Sequence, residues 1–327
     1  MLSLNEFLTD WHSDTPTLMV HTSGSTGRPK PLQVEKSKML ASARMTCDFL
    51  GLKPGDTALL CMSLDYIAGK MMVVRSLERR LQLLTVIPDG HPMAAFRQKY
   101  PLAPVPTFVA MVPMQVYNTL QMPQERELLM QVRHLIIGGG AIDDSLERAL
   151  KEFPHAVWST YGMTETLSHI ALRRLSGTEA DTWYRPFKGV EVSLAADGCL
   201  VIDAPLVHDG ALKTNDRACI DPQKGFRFLG RKDNVIDSGG IKIQIEEVEQ
   251  ALQQCLQAPY MVTRRPDAKF GEIVVLLTEQ TDLSQVAKAC AAVLPRYWRP
   301  RLYLHVDHIP LTATGKPARA EAERLAR

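Results

Sequence analysis

No apolar run in this 327-residue chain approaches the length of a membrane-spanning helix, which argues against a helical membrane anchor. The first residues, MLSLNEFLTDWHSD, carry acidic groups and no apolar stretch, so a secretion signal is not expected. There is also no excess of charge of one sign. The formal net charge is +2, too small a basic field to argue for a nucleic-acid partner. The six cysteines show no CxxC spacing and the nine histidines form no HExxH or HxxxH pair. A disulfide frame and a zinc site are therefore disfavoured, and reduced thiols in a cytoplasmic setting are expected. Internal repeats and low-complexity segments are missing as well. What is present is ordinary soluble composition, 45% apolar and 23% charged, in a chain long enough for a substantial core and two domains.

Residues 34–50 have helical spacing, with Leu40, Ala43, Cys47 and Leu50 on one side, closed by Gly51 and Pro54-Gly55. Short apolar runs follow at 57–62, 81–87, 107–112, 133–137 and 156–158, with helices expected at 67–80, 113–120 and 143–152. This alternation predicts α/β layers around a largely parallel sheet. From 188 to 229 the segments become short β units, with Asp197-Gly198 a hairpin turn. After residue 232 the order reads helix (245–255), strand (259–263), strand (272–278), helix (284–294), strand (301–306). That predicts a small α+β domain, 232–327, hinged to 1–231 at Gly230-Arg231-Lys232-Asp233.

Five segments carry chemistry. Residues 22–30 hold Thr22, Ser23, Gly24, Ser25, Thr26, Gly27 and Lys30. Glycines that permit unusual backbone geometry, hydroxyls and a cation suit a polyphosphate. This is not the common nucleotide loop, because Lys30 stands three positions after Gly27, between Pro29 and Pro31. Gly138, Gly139 and Gly140, followed by Ala141, end an apolar run and let a flat ligand approach backbone. Within 160–165, Tyr161 offers a ring, Gly162 a bend, Thr164 a hydroxyl and Glu165 a hard carboxylate suited to Mg²⁺. Arg231 opens GRKDNVIDSGG, and Lys316 sits in PLTATGKP near the chain end. Each segment by itself could be an ordinary loop; their order is what distinguishes the chain.

Together these motifs resemble the adenylate-forming enzymes, the family of acyl- and aryl-CoA synthetases, luciferases and nonribosomal adenylation domains. The resemblance runs from about residue 20 to the end. It implies that the 22–30 loop and Lys30 hold the ATP phosphates, and that Gly138–Ala141 line the adenine and acyl pocket. It also implies that Tyr161 stacks on adenine, that Thr164 and Glu165 handle phosphate and Mg²⁺, and that Asp216 and Arg231 reach ribose. Lys316 matches the adenylation lysine and Asp233 the hinge. The implied cofactors are ATP and Mg²⁺, with coenzyme A as co-substrate.

Two features depart from the family pattern. Only 21 residues precede the phosphate loop, fewer than in most relatives, so a shortened N-terminal subdomain and a homo-oligomer are expected. Asp216 follows Thr214-Asn215, where the family mostly shows Thr-Gly. Within the family the likeness narrows to the o-succinylbenzoate–CoA ligases of menaquinone synthesis, through IIGGGAI, YGMTE followed by Ser168, and IEEVE at 245–249. An acid with two carboxylates calls for cations, and Lys70, Arg75, His169 and Arg173 are the candidates, Arg173 the weakest. Alternatives are an acyl-AMP ligase that loads a carrier-protein thiol, and a degenerate nucleotide binder. Retention of both Lys30 and Lys316 argues against the latter.

Overall fold

The computed structural model describes residues 2–21, 31–312 and 316–327. Helix α1 (Leu4–His12) starts at a Ser3/Glu6 capping box. Strands β1 (Thr17–His21) and β2 (Pro31–Glu35) pair antiparallel, His21 opposite Pro31. They bracket the expected phosphate loop, and Thr22, Ser23, Gly24, Ser25, Thr26, Gly27 and Lys30 lie outside the described residues. Helix α2 (Lys36–Leu50) follows, ending at Gly51 with φ 65°, a left-handed turn that glycine adopts without strain.

The main body is built from β3 (Thr57–Leu60), α3 (Ile67–Arg79), β4 (Gln82–Thr85), α4 (Pro92–Lys99) and β5 (Phe108–Met111). It continues through α5 (Pro113–Gln121), α6 (Pro123–Met130), β6 (His134–Ile137), α7 (Asp144–Lys151), β7 (Ala156–Gly162), β8 (His169–Arg174) and β9 (Arg185–Pro186). The strand order is β4-β3-β5-β6-β7-β8-β9. The first five are parallel; β8 and β9 close the edge antiparallel. Mixed α/β layering is thus as the alternation predicts. Side chains alternate across a strand, and each central strand feeds two cores. Ala58, Leu60, Phe108, Ala110 and Ile136 join α2 and α3 on one face. Leu59, Val109, Met111, Leu135 and Ile137 join α4 to α7 on the other.

A four-stranded antiparallel sheet follows, β10 (Glu191–Leu194), β11 (Cys199–Asp203), β12 (Leu212–Asp221) and β13 (Gly225–Arg231), with Gly198 at φ 75° in the β10–β11 turn. The last part comprises β14 (Val235–Ser238), β15 (Ile241–Gln244), α8 (Ile245–Leu252), β16 (Tyr260–Asp267), β17 (Gly271–Thr278), α9 (Leu283–Val293), β18 (Leu302–His305) and α10 (Arg319–Leu325). Its five strands form one sheet, with β18 parallel to β17. Two apolar clusters on its faces draw only on residues from 236 onward. No described helix is long and apolar enough to cross a membrane.

Some elements differ from the sequence reading. Residues 34–35 belong to β2 rather than to α2, and β7 runs to Gly162 instead of stopping at 158. Its polar half, Ser159 and Thr160, is carried by pairing with β6 and β8 rather than by an apolar run. Helices α4 and α6 were not anticipated; each begins at a proline, a favoured first helical residue.

Candidate functional site

The candidate residues gather at the carboxyl ends of β6 and β7, where ligands of open α/β sheets sit. After β6, Gly138 is glycine for a local reason: a Cβ there would meet Thr160 Oγ1 of β7 at 2.2 Å. Gly139 has φ 84°, in the left-handed region. Gly139, Gly140 and Ala141 are exposed, so this turn leaves bare backbone open beside the end of β7. Gly162 is required too, since its Cβ would meet His169 Cα at 2.4 Å. A short 3-10 turn, Thr164–Thr166, then presents Glu165 to solvent while Thr164 is buried. The turn closes on Leu167, at φ 64° and ψ −32°, a costly conformation for a side chain of that size. That bend delivers Ser168 and His169 back against the sheet.

Tyr161 lies in β7 with its ring packed against Tyr184 and Phe226, centroids 5.7 and 4.9 Å away. Its hydroxyl donates to Asp216 Oδ2 at 2.7 Å. The ring is thus part of the core, and its polar edge holds the carboxylate. Burial pushes Asp216 above the usual carboxylate range, opposed by the Tyr161 hydrogen bond and the Arg231 charge. Arg231 sits directly across the β12–β13 ladder from Asp216, Nη1 to Oδ1 3.6 Å, and also pairs with Asp233 at 2.9 Å. Burial, with the Arg231 charge second, lowers the Lys316 ammonium below the usual lysine range. Tyr161, Asp216 and Arg231 are therefore brought together, and the Arg231 charge is felt at Lys316, far along the chain. A carboxylate, two cations and an open glycine turn form a surface able to hold a nucleotide and its developing negative charge. Among the described residues no group of three or more His, Cys, Asp or Glu could hold a metal ion. Glu165 alone is the arrangement that suits Mg²⁺ shared with phosphate oxygens.

The residues expected to form a hinge are engaged. Lys232 Nζ and Lys213 Nζ both meet Asp197 Oδ2, at 2.8 and 3.0 Å. Asn215, the departure from the family pattern, donates to Asp233 Oδ2 at 3.2 Å.

The four proposed cations fare differently. Lys70 is buried and its ammonium donates to the Met19 carbonyl of β1 at 3.0 Å, so it ties α3 to the hairpin rather than facing an acid. Arg173 makes a two-pronged pair with Glu147, both contacts 2.8 Å. His169 is buried with both ring nitrogens hydrogen-bonded, and desolvation holds its pKa well below the usual range. It is neutral and supplies no positive charge. Arg75 is the most deeply buried cation of the four and has no carboxylate partner among the described residues. It is 2% exposed, Nη2 donates to Ser168 Oγ at 2.6 Å, and Nε has no partner among the described residues. Burial lowers its pKa to about 10, which leaves it protonated at neutral pH.

Sequence reasoning missed Thr46 and Tyr184. Thr46 lay on a helix whose apolar stripe drew attention, and Tyr184 had no motif around it. Glu246, which accepts from the Arg231 backbone N–H at 3.3 Å, was visible only as the first acidic residue of IEEVE.

A family model described as AMP-binding enzyme matches residues 5–203. The chain is 25% identical to the 2-succinylbenzoate–CoA ligase of Enterococcus faecalis, over 97% of this chain and 71% of that protein. With the corresponding ligase of Bacillus cereus the identity is 26%, over 94% and 69%. Among solved structures, an acyl-CoA synthetase (AMP-forming)/AMP-acid ligase II-like protein from Dyadobacter fermentans aligns with TM-score 0.65 and 31% identity. It covers 97% of this chain and 92% of its own. An o-succinylbenzoate CoA synthetase from Bacillus subtilis, in complex with its acyl-adenylate intermediate, gives TM-score 0.77 at 22% identity, over 93% and 68%.

Proposed function

We propose, from the premise that this chain belongs to the AMP-binding enzyme family and is an AMP-forming acid–CoA ligase, that its acid is o-succinylbenzoate. The observation that carries this reading is Arg75. A guanidinium withdrawn from water without a counter-charge costs several kcal/mol, of order of magnitude only. Such a cost is retained where an anionic ligand completes the pair. The unpartnered Nε of Arg75 can take one carboxylate of a dianionic acid, while the other carboxylate reacts. The match to 2-succinylbenzoate–CoA ligases of two organisms agrees in kind.

The reaction then runs in two steps. A carboxylate oxygen of the acid bonds to the α-phosphorus of ATP and the bond to pyrophosphate breaks. The coenzyme A sulfur next bonds to the acyl carbon, the bond to AMP breaks, and the thiol proton leaves to solvent. Lys316 places a cation where charge develops in the first step, and positioning with charge neutralisation is what such transfers require. Glu165 would hold Mg²⁺, which would supply further charge neutralisation at the phosphates. Asp216 and Arg231 hold the ribose. Gly139, Gly140 and Ala141 flank the adenine. The segment 22–30 with Lys30 takes the outer phosphates. Residues 232–327 act as the lid, with Lys232-Asp233 as the hinge that withdraws Lys316 for the second step.

The test is ATP–pyrophosphate exchange across a panel of o-succinylbenzoate, benzoate and aliphatic acids. Exchange is expected with o-succinylbenzoate. If benzoate or a fatty acid supports it and o-succinylbenzoate does not, the acid is wrongly assigned.

A further inference from the structure

Four side chains run in an unbroken file from Arg75 to the backbone of α2. Arg75 Nη2 donates to Ser168 Oγ at 2.6 Å. Ser168 Oγ lies 3.2 Å from His169 Nδ1, and His169 Nε2 lies 3.0 Å from Thr46 Oγ1. Thr46 Oγ1 is 3.2 Å from the Ser42 carbonyl oxygen, to which it donates. The file joins three elements: α2, α3 and the start of β8.

One assignment of protons in this file uses every contact within it. Each hydroxyl carries one hydrogen. With the Thr46 hydrogen on Ser42, Thr46 can only accept from His169, which places the histidine proton on Nε2. His169 Nδ1 then offers a lone pair, which takes the hydrogen of Ser168. Ser168 is left able only to accept from Arg75. Reversing the ring tautomer would have Nδ1–H and Arg75 both donating to Ser168, whose own hydrogen would then have no acceptor among the described residues. That arrangement would send the hydrogen of the half-buried Ser168 to solvent, whereas the first keeps it within the file.

We propose that Thr46, His169 and Ser168 are positioning residues that fix the Arg75 guanidinium for the second carboxylate of the acid, and so set the preference for dicarboxylic over monocarboxylic aromatic acids. This rests on the acid assigned above, and it gives His169 a different part from that of a cation. The strained bend at Leu167 finds a use here, since it brings Ser168 and His169 to the file. Ser168 holds Nη2 and Met72 Sδ meets Nη1, which leaves Nε to a ligand.

The experiment uses the full chain and the variants Thr46→Val and Thr46→Ser. Thr46→Val keeps the shape and removes the acceptor for His169 Nε2–H; Thr46→Ser restores it. In pyrophosphate exchange, Thr46→Val should raise the KM for o-succinylbenzoate about tenfold, the worth of one buried hydrogen bond. The KM for ATP and for benzoate should stay where they were, and Thr46→Ser should return the first constant towards its original value. Nitrogen NMR of the ring at neutral pH should show a neutral His169 protonated on Nε2, giving way to a tautomer mixture in Thr46→Val. A wild-type ring protonated on Nδ1, or equal changes in every constant, overturns the relay. If o-succinylbenzoate is inert with the wild type, the acid assignment falls on its own, and the variants are read on the acid that does support exchange. A selective KM rise for a dicarboxylate then upholds the relay, and an enzyme that uses monocarboxylates alone refutes it.

Discussion

Replacing Arg75 by methionine should separate stability from acid use. Methionine fills a similar volume without charge, and its flexible thioether adapts to the Met72 contact. For binding, the variant loses the buried cation for the second carboxylate. Truncating one member of a desolvated charge pair costs about 3 kcal/mol, on the order of 10²-fold in kcat/KM for o-succinylbenzoate. For stability the sign reverses. Arg75 is 2% exposed, unopposed by any carboxylate among the described residues, and one of its nitrogens is unpartnered. Removing a poorly compensated buried charge in favour of an apolar group is neutral to stabilising by roughly 1–4 kcal/mol. Against this stands the donor lost to Ser168 Oγ, about 1 kcal/mol. The balance lies between no change and a gain of about 3 kcal/mol, with a Tm equal to or a few degrees above that of the wild type. Thermal unfolding without ligands, alongside exchange kinetics on the same preparation, measures both. A variant that melts lower than the wild type, or one that keeps its KM for o-succinylbenzoate, refutes the reasoning.

Three further outcomes follow from the site. Lys316→Ala should slow acyl-adenylate formation by on the order of 10²-fold or more, because a preorganised cation at developing charge is lost. Thioester formation from supplied acyl-adenylate should fall far less, as read by parallel assays of the two half-reactions. Because burial and the Arg231 charge lower the Lys316 pKa, its proton leaves at a lower pH than from an ordinary lysine. The adenylation rate of the wild type should accordingly decline on the alkaline side before the usual lysine range, and a pH–rate profile flat through that range argues against this role. Glu165→Gln replaces a hard carboxylate by a neutral oxygen and should shift the Mg²⁺ titration of adenylation to higher concentration.

Much of the layout was legible because the pattern and the physics coincide. The runs at 57–62, 107–112 and 133–137 are continuous and apolar because β3, β5 and β6 are covered on both faces. The turns at Gly51 and Gly198 are readable because positive φ selects glycine. The sequence was silent where tertiary contact decides. Nothing local says that the Lys70 ammonium ends on the Met19 carbonyl, or that the hydroxyl of Tyr161 is committed to Asp216. Gly138 looked like an opening for a ligand, yet its first constraint is the Thr160 side chain of the next strand. Cations were picked by type, and type alone cannot tell Arg173, neutralised by Glu147, from Arg75, which is not.

The alternation along the central strands also divides labour across the sheet. Arg75, Thr46 and their helices α3 and α2 lie on the face packed with Phe108, Ala110 and Ile136. Helices α4 to α7, with Val116, Leu129 and Leu150, occupy the opposite face. A change of core volume on the α4–α7 side is separated from the residues proposed to select the acid by the thickness of a hydrogen-bonded sheet. The two sides are thus free to drift at different rates, one answering to packing alone and the other to packing and to the ligand at once.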